Sequence, residues 1–118
     1  MTNAKLTIYH NPNCSKSRET LDILTSNDRR PEIVEYLIEP PTKEVLEGIV
    51  KLLNISPAEL VRTGEPAYEQ AGLNIDTMSE DQIIDAICAH PSLLQRPIVV
   101  SGNKAIIGRP PSRVLDII

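Results

Sequence analysis

The chain has 118 residues, a size typical of one domain with a single core, and it contains no Trp or Phe, so its core must be largely aliphatic. Its net charge of −4, from 12 basic and 16 acidic residues, gives no electrostatic footprint for nucleic acid. No apolar run is long enough to cross a membrane, and the N-terminus lacks the pattern of a signal peptide. We therefore expect a cytoplasmic protein without nucleic-acid or membrane partners.

The first predicted elements are a strand, a short polar loop and a helix. Residues 6–9 alternate apolar and polar side chains as a strand does, and the stretch from Arg18 to Asn27 has the apolar spacing of a helix. Cys14 lies between them, at or next to the helix N-terminus, where unpaired N–H groups and the helix dipole favour an anion. A cysteine there is stabilised as the nucleophilic thiolate, and Lys16, Arg18 and His10 can add positive charge. The alternative, a buried and inert thiol, is disfavoured by the polar residues on either side.

The middle of the chain is predicted to be a second strand followed by helices. Glu32–Leu37 has the composition of a strand buried on at least one face, and it completes a βαβ unit with parallel strands. Apolar residues recur at helical spacing between Thr42 and Asn54, and Ser56 and Ser79 each begin a capping box. The last of these helices places Cys88 on a face with three isoleucines, which indicates a core residue rather than a catalytic one.

The end of the chain completes the predicted fold. Two apolar runs around Gly102-Asn103 predict a hairpin whose first strand is opened by Pro97, and Pro111–Ile118 has helical spacing. The order βαβ, helices, ββα fits an α/β fold with a four-stranded mixed sheet. A cysteine after the first strand and a proline before the third describe a thioredoxin-like (glutaredoxin-like) core. We predict that residues 1–118 form a single domain of this kind, with a helical insertion at about 42–91.

The two cysteines and two histidines lack metal-ligand spacing, so we expect no metal.

Five segments that span nearly the whole chain carry a family resemblance: Tyr9–Arg18, Leu60–Arg62, Tyr68–Leu73, Arg96–Val100 and Gly108–Pro110. In order and spacing they resemble the glutaredoxin-dependent arsenate reductase family of bacteria, whose fold is thioredoxin-like with a helical insertion. The resemblance implies that Cys14 attacks the arsenic of arsenate. It also implies that no cofactor is bound, that glutathione is the co-substrate and that glutaredoxin is the protein partner.

The same resemblance assigns roles to residues beyond the cysteine. His10 would favour the thiolate of Cys14, and the hydroxyl of Ser17 would support it. Three arginines would bind the oxyanion, and a cis-proline would follow one of them; these residues are Arg62, Arg96, Arg109 and Pro97. Arsenate carries about two negative charges at neutral pH, which planar guanidinium groups can neutralise and orient. Because Ser17 stands where a Cys-x-x-Cys motif has its second cysteine, external thiols would be required for turnover.

Two other functions stay open at this point. Spx-type transcription factors share this fold and bind RNA polymerase, but they usually carry a Cys-x-x-Cys redox switch, which the pair Cys14 and Ser17 lacks. A general glutathione-dependent thiol oxidoreductase would have no use for arsenate, and the three arginines argue against it.

Overall fold

The computed structural model describes residues 5–118, and within that range the chain forms four strands, four α-helices and four short 3₁₀ helices. The strands are β1 (Leu6–His10), β2 (Glu32–Glu35), β3 (Ile98–Ser101) and β4 (Lys104–Ile107). The α-helices are α1 (Ser15–Ser26), α2 (Lys43–Leu53), α3 (Pro66–Gln70) and α4 (Glu80–Ala89). The chain divides into two compact units. The first contains the described chain up to Glu39 together with Arg96–Ile118, and the second is Pro40–Gln95.

The first unit contains the mixed four-stranded sheet that the sequence predicts, in the order β2-β1-β3-β4. β1 runs parallel to β2 and antiparallel to β3, and β3 pairs with β4 across the predicted hairpin. His10 is paired with Glu35, Tyr9 with Ile98, and Ile98 with Ile107. The last residues of β1, β2 and β4 and the first residue of β3 therefore meet at one end of the sheet. We call this the Cys14 end, because the loop that follows β1 carries Cys14.

The hairpin between β3 and β4 follows the predicted turn. Ser101 pairs with Lys104, which leaves Gly102 and Asn103 as a two-residue loop. Gly102 has φ of 59°, a left-handed conformation that a type II′ turn requires at its first central position.

The prediction for β2 was wrong in its length and its burial. The strand ends at Glu35 rather than Leu37, because the N–H groups of Ile38 and Glu39 both donate to the Glu35 carbonyl and curl the chain into a turn. β2 is also an edge strand, so its side chains are covered less than those of the central strands, and Ile33 keeps 49% of its surface exposed.

The core of the first unit is aliphatic, as the composition requires. It joins the sheet to α1 and to the C-terminal 3₁₀ helix Pro111–Asp116 through six buried residues: Leu6, Ile8, Leu24, Val99, Ile106 and Val114. The chain after Pro111 forms a 3₁₀ helix of six residues instead of an α-helix.

The second unit contains the helices of the expected insertion, which lies within its bounds. The Thr42 hydroxyl caps α2 by accepting the Val45 N–H at 3.3 Å. Ser79 and Gln82 form the capping box predicted at the start of α4. On α4 the three isoleucines are buried, but Cys88 is only partly buried, so it lies at the margin of the core and not within it. Among the helices of the described residues, none has both the length and the apolar character needed to cross a membrane.

Candidate active site

Cys14 lies at the N-terminus of α1, as the sequence predicts, and it is the N-cap residue, with φ of −103° and ψ of 122°, because the helix begins at Ser15 and not at Arg18. Its carbonyl accepts the first hydrogen bond of the helix, from the Arg18 N–H at 3.0 Å. The N–H groups of residues 15–17 therefore have no partner within the helix, and they provide partial positive charge beside the sulfur. Cys14 is nevertheless 8% exposed, because it turns inward between exposed polar neighbours. A bound oxyanion would be stabilised at this position.

His10 and Ser17 meet next to the cysteine loop. His10 Nδ1 and Ser17 Oγ lie 2.6 Å apart, and the Asn11 N–H donates to the same hydroxyl oxygen at 3.0 Å. Both side chains are buried. Burial lowers the pKa of His10, and nearby Glu35 only partly opposes this effect, while the Arg18 charge reinforces it. The imidazole is therefore neutral at neutral pH, and it does not supply the positive charge that the sequence suggests.

The segment before β3 and the segment after β4 are joined by hydrogen bonds at the Cys14 end. The Arg96–Pro97 peptide bond is cis, which confirms the prediction for Pro97, and the Arg109–Pro110 bond is cis as well. Arg109 Nε donates to the Arg96 carbonyl at 2.8 Å, and the Gly108 N–H donates to the Pro97 carbonyl at 2.8 Å. Arg96 and Arg109 are thus held side by side, although 12 residues separate them in the sequence.

Gly108 allows this segment to approach α1 closely. A Cβ atom at Gly108 would lie 2.7 Å from Thr20 Oγ1 and 2.8 Å from Pro97 Cγ, distances that real contacts do not reach. Thr20 is fully buried and donates its hydroxyl proton to the Lys16 carbonyl within α1. Because Gly108 has no side chain, the segment that carries Arg109 packs directly against α1.

The side chain of Arg96 has an unmet hydrogen-bonding requirement. Its Nε is buried, and within residues 5–118 it has no hydrogen-bond partner. A buried donor without a partner is costly in a folded protein unless a ligand or an ordered water accepts from it. A bound oxyanion would supply such an acceptor.

Arg62 belongs to the second unit. Its backbone N–H donates to the Leu93 carbonyl at 2.7 Å, and its Nη1 lies 2.7 Å from Glu65 Oε2 in a partly buried ion pair. This partner was not predicted from the sequence, and the two residues meet across the turn at Thr63 and Gly64, where the Glu65 N–H donates to the Arg62 carbonyl at 3.1 Å.

Sequence reasoning also missed Asn11 and Thr20. Asn11 uses its N–H toward Ser17, its carbonyl toward the Cys14 N–H and its side-chain oxygen toward the Asn13 N–H. The Asn-Pro-Asn run is a turn signal that could have indicated this role. Thr20 gave no such signal, since the close approach of Gly108 to this residue of α1 depends on the tertiary fold. Within the described range, no group of three or more His, Cys, Asp or Glu side chains could hold a metal ion.

Comparison with known proteins gives one consistent family. The chain is 46% identical over 112 residues to "Uncharacterized protein YfgD" of Escherichia coli (strain K12), and the match covers 94% of each chain. It is 42% identical over 112 residues to a protein of Haemophilus influenzae named "Arsenate reductase", covering 94% of this chain and 97% of that one. A solved structure titled "Arsenate reductase from Vibrio cholerae" has a TM-score of 0.93 at 37% identity, and the match covers 99% of this chain and 100% of that chain.

These likenesses agree with the thioredoxin-like fold expected from the element order. The model of the ArsC family matches residues 9–117, a range that includes the cysteine loop and every predicted site residue. The chain therefore belongs to the ArsC family.

Proposed function

We propose that this protein is an arsenate reductase in which Cys14 forms a covalent bond to arsenic and glutathione and glutaredoxin supply the electrons. The observation that carries the proposal is the position of Cys14 at the N-terminus of α1, at the same end of the sheet as Arg96 and Arg109. Relatives named "Arsenate reductase" that are 40% and 42% identical to this chain support the choice of arsenate as substrate. The expected cytoplasmic location is part of the proposal, because glutathione keeps thiols reduced there.

Arsenate would bind through charge-assisted hydrogen bonds. The unpaired N–H groups at the start of α1 favour an anion, and the buried Nε of Arg96 needs an acceptor. Arg109 adds a second guanidinium, which is tied by its Nε to the Arg96 carbonyl and keeps its other N–H groups available. By the family resemblance, Arg62 would be the third arginine of the set.

The reaction starts with attack of the Cys14 thiolate on arsenic. An As–S bond forms, an oxygen of arsenate leaves as water, and arsenic stays in the +5 state. Glutathione then adds through its sulfur with loss of a second water. The glutaredoxin thiolate attacks the glutathione sulfur to give a mixed disulfide, and the electron pair of the broken As–S bond reduces arsenic to +3. Water releases arsenite from Cys14 and regenerates the thiol.

Ser17 and His10 would support this chemistry from within the fold. Ser17 Oγ already accepts from the Asn11 N–H, so its own proton is directed either to His10 Nδ1 or, when that nitrogen carries the ring proton, to another acceptor. The thiolate of Cys14 is the acceptor that the resemblance implies. The contacts themselves support a second task for the pair, which is to hold the cysteine loop in one conformation.

Arsenate-dependent oxidation of NADPH tests the proposal, in a coupled assay with glutathione, glutaredoxin and glutathione reductase. We expect turnover with the wild-type protein and with Cys88→Ala, and none with Cys14→Ser, because a hydroxyl is a far weaker nucleophile than a thiolate. Turnover of a glutathione mixed disulfide without any effect of arsenate would instead favour the general thiol oxidoreductase.

A further inference from the structure

The positive charge next to Cys14 comes from fewer side chains than the sequence suggests. Of the three cationic candidates, His10 is neutral because burial lowers its pKa. Lys16 lies 3.8 Å from a carboxylate oxygen of Glu19, which offsets its charge. Arg18 is different, because in the part of the chain that the structure describes it forms no ion pair with a carboxylate.

Helix geometry places Arg18 over the cysteine loop. Arg18 follows Cys14 by four residues and donates its backbone N–H to the Cys14 carbonyl in the first hydrogen bond of the helix, so it lies one turn after the N-cap residue. Side chains on a helix lean toward its N-terminus. The guanidinium accordingly reaches back to the cysteine loop, where its Nη1 donates to the Pro12 carbonyl at 2.9 Å.

The charge of Arg18 destabilises the N-terminus of α1. Positive charge near a helix N-terminus opposes the dipole, and the first turn of α1 contains no acidic residue to balance it. A locally unfavourable charge of this kind, next to the nucleophile, is typical of a functional site.

We propose that Arg18 is a positioning residue of the active site, which fixes the Pro12 carbonyl and supplies an unpaired positive charge, from the cysteine loop's own helix, that draws anions to Cys14. The inference rests on the proposed function for the identity of the anion, arsenate. Its electrostatic part can be measured on Cys14 without arsenate.

The test compares the alkylation of Cys14 by anionic iodoacetate and by neutral iodoacetamide, with the modified peptide quantified by mass spectrometry at low ionic strength. In Arg18→Ala the ratio of the two rate constants should fall roughly threefold, the size expected for one charge several ångströms away in water. Arg18→Lys should restore the ratio because it keeps the charge. Arg30→Ala is the matched control, since Arg30 is also exposed but lies beyond the other end of α1, and it should leave the ratio unchanged.

A second readout connects the charge to the proposed substrate. In Arg18→Ala the KM for arsenate should rise by a similar factor with little change in kcat, and both effects should shrink at high salt. An unchanged alkylation ratio in Arg18→Ala would overturn the role of Arg18, whatever the protein reduces. If the ratio falls as expected but the wild-type protein does not reduce arsenate, the proposed function fails and the role of Arg18 toward anions stands.

Discussion

Replacement of Arg96 by alanine separates ligand binding from folding. The buried Nε of Arg96 has no partner in the described chain, so its removal deletes no hydrogen bond of that nitrogen, and the Arg96 carbonyl still accepts from Arg109. We therefore expect a change of less than about 1 kcal/mol in the free energy of unfolding. If arsenate accepts a hydrogen bond from this guanidinium, the loss is worth roughly 1.5–3 kcal/mol. That range corresponds to a decrease of about 10- to 150-fold in kcat/KM.

The coupled NADPH assay and urea denaturation measure the two quantities on the same variants. Arg96→Lys should recover only part of the activity, because a point charge cannot reproduce the planar fork of a guanidinium. Arg30→Ala, on the loop before β2, should match the wild type in both measurements. Equal and small effects of Arg96→Ala and Arg30→Ala on kcat/KM would refute a role of Arg96 in binding arsenate, since Arg96 would then act as ordinary surface charge.

Three further predictions concern stability and the second cysteine. Gly108→Ala should lower the free energy of unfolding by about 1–3 kcal/mol, because its Cβ would overlap Thr20. Gly48 lies in an open position on α2, so Gly48→Ala should raise the free energy of unfolding by up to about 1 kcal/mol. Thermal denaturation measures both effects. Burial lowers the pKa of His10 from the ordinary 6.5, so below that pH the unfolded chain binds more protons than the folded one. The free energy of unfolding should therefore decrease as pH falls below about 6.5. In urea titrations, His10→Asn should show a smaller decrease. Cys88→Ala should keep full arsenate turnover and lose less than about 1 kcal/mol of stability, since the thiol is only partly buried. Inactivity of the folded variant would show that Cys88 takes part in the reaction.

Local signals in the sequence predicted the elements around the site. The alternation of residues 6–9, the N-cap position of Cys14 and the Gly102-Asn103 turn are each specified by near neighbours in the chain. The capping box at Ser79 is of the same kind. Because such signals depend on spacing over a few residues, the sequence is sufficient to identify them.

What the sequence did not predict depends on contacts between distant residues. The exposure of Ile33 follows from the edge position of β2, and the partial burial of Cys88 follows from the packing around α4. The neutral state of His10 follows from burial beside Ser17, which no composition reveals. Local patterns therefore indicated where the nucleophile lies, and only the fold showed which charges surround it.

X-ray absorption spectroscopy at the arsenic K-edge tests the central claim most directly. The wild-type protein and Cys88→Ala, mixed with arsenate, should each show an arsenic–sulfur bond, because Cys14 attacks arsenic without help from the second cysteine. In Cys14→Ser the same bond should be absent. A spectrum of the wild-type protein with oxygen neighbours alone, or an arsenic–sulfur bond that persists in Cys14→Ser, would contradict the account.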